Sequence, residues 1–144
     1  MAGGERVVTV RWREKLLFEG GAAGRPVILV DGDSAAATSP VELLLVAAAT
    51  CTAADVVSIL EKERVALRSL EIAVQGTRRQ DHPRRYTAIN FHFTIAGAGA
   101  DEPKARRAID LSLTKYCSVV ASLAPCVTAL RYSESISHTS NGRF

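Results

Sequence analysis

The sequence predicts an α+β domain, on three observations. Short segments alternate apolar and polar residues with the period of two expected of a half-buried strand. One long Leu- and Ala-rich segment carries the start signal of a helix. The strand segments also cluster ahead of and behind that helix instead of alternating with helices one by one, which favours a sheet antiparallel in part. With 144 residues, 47% of them hydrophobic and 23% charged, the chain has the size and mixture of a single globular domain and not of a disordered or fibrous one. We expect one domain over 1–144, with residues 1–6 and 137–144 flexible.

The first strand is placed at Val8, Val10 and Trp12, which alternate with Thr9, Arg11 and Arg13. Gly20, Gly21 and Gly24 read as turn residues before a second strand over 27–30, which stops at the turn signal Asp31, Gly32, Asp33. Residues 34–38 are small and weakly patterned, a loop into the longest helix. That helix starts where Ser39 can cap, Pro40 suits the first helical position and Glu42 can close a capping box. From Val41 to about Lys62 it is apolar nearly all round until Asp55, the pattern of a helix buried between layers.

Two further strands follow, at Leu70, Ile72 and Val74 and at Ile89, Phe91, Phe93 and Ile95. The polar segment 76–85 between them, with Pro83 and the basic cluster Arg78, Arg79, Arg84 and Arg85, reads as the exposed connection of a hairpin. Asp101 and Pro103 open a helix with Ala105, Ala108 and Ile109 on one face. A break near Tyr116 separates it from a short helix over 117–123, and residues 128–136 supply a last strand.

Residues 1–5 have neither the basic nor the apolar region of an export signal, and Glu42 and Asp55 interrupt the most apolar stretch, so neither export nor a membrane span is expected. Three cysteines, none in a C-x-x-C spacing, suggest neither a disulfide framework nor a zinc site, and a reducing cytoplasm fits them best. A net charge of +3 does not call for nucleic acid, and the arginine cluster is explained by a solvated hairpin tip. His82, His92 and His138 have no metal-ligand spacing, so no metal or cofactor is expected.

Two cysteines have suggestive surroundings. Cys51 lies within a run of small side chains, residues 47–55, that lets a backbone or small substrate approach, although a thiol there is equally at home as a small core hydrophobe. Cys117 sits where a helix restarts, so amide N–H groups, and Lys115 nearby, would favour its thiolate. Cys126, after Pro125, has no such neighbours. Asp55 shares the helix face of Cys51, where its charge would oppose thiol ionisation, and if buried it would pair with an arginine. Glu42, nine residues before Cys51, lies on the opposite side of an ideal helix and is read as a cap.

Residues 39–45, 51–60, 86–93 and 110–119 resemble, in order and separation, signature blocks of the OsmC family of thiol-dependent peroxidases, in particular its small OsmC-like members of the YhfA subgroup. The resemblance implies an intertwined homodimer with long central helices packed between wrapped antiparallel sheets and active sites at the subunit interface. It implies Cys51 as the thiolate that attacks a peroxide and Cys117 as the thiol that captures the resulting sulfenic acid, with a dithiol restoring the pair. The substrates so implied are organic hydroperoxides. Peroxidase members of the family carry a glutamate directly after the proline, where this chain has Val41, and an arginine from the N-terminal strands, for which Arg13 and Arg25 are candidates. A dimeric, non-catalytic binding protein for a small apolar ligand is the alternative.

Overall fold

The computed structural model describes residues 4–127 and 129–138. Their contacts form two compact units, one ending at Leu44 and the other beginning at Leu45.

The first unit contains a three-stranded antiparallel meander, β1 (Thr9–Glu14), β2 (Leu17–Gly21) and β3 (Ile28–Asp31). The expected two-strand hairpin is therefore corrected. Gly20 and Gly21 belong to β2, and the chain turns earlier, at Lys15, whose φ of 46° is left-handed and whose carbonyl accepts the Trp12 indole N–H at 2.8 Å. The glycines misled because they serve close packing here: a Cβ on Gly20 would meet Val10 Cγ2 at 3.2 Å. The turn at Gly24 is real, with φ 74° and Arg25 N–H bonded to the Ala22 carbonyl. Beyond β3 the small-residue loop is organised by Asp31, whose buried carboxylate accepts the N–H groups of Asp33 and Ala36, each at 2.9 Å. The Ala36 hydrogen bond leads in holding this carboxyl below its usual pKa.

Helix α1 (Pro40–Lys62) begins with the expected capping box: Glu42 N–H donates to Ser39 Oγ at 3.2 Å, and Ser39 N–H donates to Glu42 Oε1 at 3.0 Å. The expectation of a helix buried all round fails for the single chain. Only Ala48, Thr52, Val56 and Leu60, one stripe at a spacing of four, are buried, while Val46 is 50% exposed. By length and composition alone α1 would suffice to cross a membrane.

The second unit holds a sheet of β4 (Ala66–Arg78), β5 (Tyr86–Ala98) and β6 (Ala129–Ser137), with β5 central. β4 pairs antiparallel with β5, but β6 runs parallel to it, so this sheet is mixed and not the antiparallel one implied by the family resemblance. Parallel pairing requires a crossover, and the helical segment between β5 and β6 provides it. Ile89, Phe91, Phe93 and Ile95 project to one face and are at most 1% exposed, each large side chain contributing about 1.5–3 kcal/mol of burial. Phe93 stacks edge-on against Tyr132 with ring centroids 6.2 Å apart. Gly76 admits the Tyr86 ring, since a Cβ there would lie 2.7 Å from Tyr86 Cδ1 and 3.0 Å from Leu45 Cδ2 of α1.

Helix α2 (Glu102–Leu111) is capped by Asp101, whose carboxylate accepts Lys104 N–H at 2.9 Å, and it buries the expected Ala105, Ala108 and Ile109. The break near Tyr116 takes the form of a π-helical turn, Ser112–Tyr116, before α3 (Ser118–Leu123). Of the ends expected to be flexible, residues 1–6 and 137–144, Ser137 instead closes β6, while residues 1–3 and 139–144, like Thr128, lie outside the described residues.

Candidate functional site

The π-helical turn determines where Cys117 sits. Cys117 N–H bonds to the Ser112 carbonyl five residues back, at 2.8 Å, and its backbone then becomes extended (φ −73°, ψ 104°) to cap α3. The turn is tied to α1 by Ser112, fully buried, whose hydroxyl donates to Asp55 Oδ2 at 2.8 Å. Asp55 is only half-buried, so the condition for the arginine partner is not met; it pairs with a serine from a turn whose register the sequence does not display.

These constraints bring the two predicted cysteines together. Cys117, 3% exposed, interacts directly with Cys51, which is half-buried, and both are free thiols. The Cys117 sulfur also accepts the Thr52 hydroxyl and the Val120 N–H, each at 3.4 Å. The expected amide is therefore present, but its consequence is not: burial pushes the Cys117 thiol above its ordinary value of 9.0, Thr52 and Val120 oppose that rise, and the neighbouring Cys51 adds to it. Lys115 does not offset this, since its ammonium lies over the Tyr116 ring, 5.1 Å from the centroid. Cys126 is exposed, in the turn after α3.

Thr52 and Ser112 were missed by the sequence reading. Thr52 had a signal, being the one polar residue on the stripe of Ala48, Val56 and Leu60; Ser112 had none. A groove of about 420 Å³ is lined by Asp55, Ser58, Ile59, Lys62, Glu63, Leu111 and Tyr116, so its walls are mixed and not purely apolar, and neither cysteine is among them.

The other residues considered have separate commitments. Glu42 Oε1 accepts the Ser34 hydroxyl at 2.6 Å as well as the Ser39 N–H, and these bonds, with Ser34 first, lower its pKa to about 2. Arg13 pairs with Glu19 at 3.3 Å, and Arg25 lines a concavity of about 300 Å³ in the first unit with Arg11 and Glu19. Among the described residues no group of three His, Cys, Asp or Glu side chains is arranged to hold a metal.

A mixed sheet crossed by helices, with two free thiols between the long helix and a π-helical turn, defines a small α+β protein. The profile of the OsmC-like protein family matches residues 31–130, and the chain belongs to that family. It is 44% identical to Protein YhfA of Escherichia coli K12 over 119 residues, covering 82% of this chain and 89% of that protein. An OsmC-like protein from Mycoplasma pneumoniae superposes with a TM-score of 0.80 at 18% identity, covering 94% of this chain and 99% of that one. OhrB of Bacillus subtilis, an organic hydroperoxide resistance protein, superposes at 0.61 with 14% identity, covering 92% and 98%. These two likenesses concern the fold.

Proposed function

We propose that this protein is a thiol peroxidase that reduces organic hydroperoxides, with Cys51 as nucleophile and Cys117 as resolving thiol. The observation that carries the reading is that a half-buried free thiol and a buried one are close enough to interact, neither in a disulfide. The Cys51 thiolate attacks the peroxide O–O bond, the alkoxide leaves and takes a proton, and Cys51 becomes a sulfenic acid. The Cys117 thiol then displaces water to form the Cys51–Cys117 disulfide, and an external dithiol reduces it. Exposure and roles agree: the less buried cysteine meets the peroxide, and the buried one meets its neighbour. Family membership and the name of OhrB support the substrate class. Free thiols of this kind suit a reducing cytoplasm.

The working unit in this reading is a homodimer. Val8, Val10, Trp12 and Ile28 are each more than half exposed in the single chain, a run of apolar surface that a second copy would cover. A second reading, a dimeric binding protein without turnover, is favoured by one observation: Glu42 is engaged in capping and Arg13 by Glu19, so neither is free to activate a thiol.

Consumption of cumene hydroperoxide with a dithiol separates the two. We expect turnover in the wild type, none in Cys51→Ser, and in Cys117→Ser a sulfenic acid on Cys51 that dimedone traps. Unreactive thiols and no peroxide consumption would leave the binding protein.

A further inference from the structure

The two sulfurs of the pair are not equivalent. Cys117 Sγ receives two hydrogen bonds, from the hydroxyl of Thr52, fully buried on α1, and from the main-chain N–H of Val120 in α3, both at 3.4 Å. Among the described residues no such pair of donors meets Cys51, which is the less buried of the two residues. Bonds of this kind are weak to a neutral thiol and strengthen when the sulfur is an anion.

We propose that Thr52 and the Val120 N–H form a seat for the Cys117 thiolate as leaving group, so that an external thiol reduces the Cys51–Cys117 disulfide by attack on Cys51, with Thr52 as the positioning residue. The inference rests on reading the two thiols as a redox pair. Exchange is governed by which sulfur can be reached and by how well the other leaves: the lesser burial of Cys51 selects it as the site of attack, and the two donors at Cys117 Sγ offset part of the burial that opposes its departure as a thiolate. The attacking thiolate bonds to Cys51 Sγ, the S–S bond breaks, and the electron pair departs on Cys117 Sγ, where the two donors meet it. A dithiol's second thiolate then attacks its own sulfur in the mixed disulfide, releasing the Cys51 thiolate and leaving the reductant as a disulfide; water supplies the protons. In the forward direction the same seat favours the Cys117 thiolate that attacks the sulfenic acid, against the burial that opposes it.

The test makes the disulfide without peroxide. Reduced protein is oxidised with diamide, challenged with 2-mercaptoethanol, quenched with acid, and the adduct is located by peptide mass mapping. We expect the adduct on Cys51. Thr52→Val, which keeps the shape but removes the O–H, should slow cleavage about tenfold at fixed pH and move Cys117 alkylation to higher pH. Thr52→Ser should restore both, which a packing role alone would not do. An adduct on Cys117, or Thr52→Val cleaved as fast as wild type, overturns the proposal, and adduct mapping on the wild type keeps it testable should Thr52→Val fold poorly. Failure of diamide to close the pair would remove the redox reading as well, whereas inertness to peroxide with the adduct on Cys51 would overturn the peroxidase reading alone.

Discussion

The two three-stranded sheets follow the same alternating pattern but cover their apolar faces differently. In the sheet of β4, β5 and β6, the apolar side chains of β5 are at most 1% exposed from Ile89 to Ile95. In the meander of β1, β2 and β3, every residue of β1 is exposed, with Val10 at 63% and Trp12 at 66%. Alternation therefore tells which side chains share a face, and says nothing of what covers that face. A sheet whose covering elements lie in its own unit has a core; one without covering elements in its own unit shows the same kind of residues to solvent.

The comparison would break first at the centre of the covered sheet. Phe93→Ala should lower unfolding free energy by about 3–5 kcal/mol, because the fully buried ring leaves a cavity that its neighbours Phe91 and Tyr132 can fill only in part. Urea titration measures this, and a loss near zero would mean that the sheet's core is not what holds the unit together. In the meander the corresponding test concerns assembly. Val10→Asp places a charge on the exposed apolar face without removing a hydrogen bond, and on the homodimer reading it should sediment as a monomer while the wild type sediments as a dimer. A variant that remains dimeric would show that this face is not the contact between copies.

The same distinction explains how much was legible in the sequence. Local signals were readable: the Ser39 and Asp101 caps, the α1 span, the strands around Ile72 and Phe91, and the helix break before Cys117 each depend on residues a few positions apart. The second strand was lost because Gly20 and Gly21 signal a turn when read alone, and only the close passage of Val10 gives them another use. At the candidate site the cysteines were legible as residue types, but their environment was not. Cys117 has the amide that its position promised, yet burial by distant parts of the chain dominates it, and the bond from Ser112 to Asp55 spans 57 positions without any local mark. Within 39–45 the capping box was equally legible, because Glu42 is the third residue after Ser39, the spacing it requires.

That capping box supplies the smallest effect. Ser39→Ala removes the acceptor for Glu42 N–H and should cost about 1 kcal/mol. Its pH dependence tests the other half of the motif. Glu42 is held at about 2 in the folded chain against an ordinary 4.5, so the folded state binds this proton less tightly than the unfolded one. The stabilisation is then complete above pH 4.5 and is lost as pH falls towards 2. Glu42→Gln retains an acceptor for Ser34 and Ser39 but cannot titrate, so in thermal melts between pH 5 and about 2 its decline should be shallower than that of the wild type. Parallel declines would mean that the exposed carboxylate, although hydrogen-bonded, is protonated with no consequence for the helix it caps.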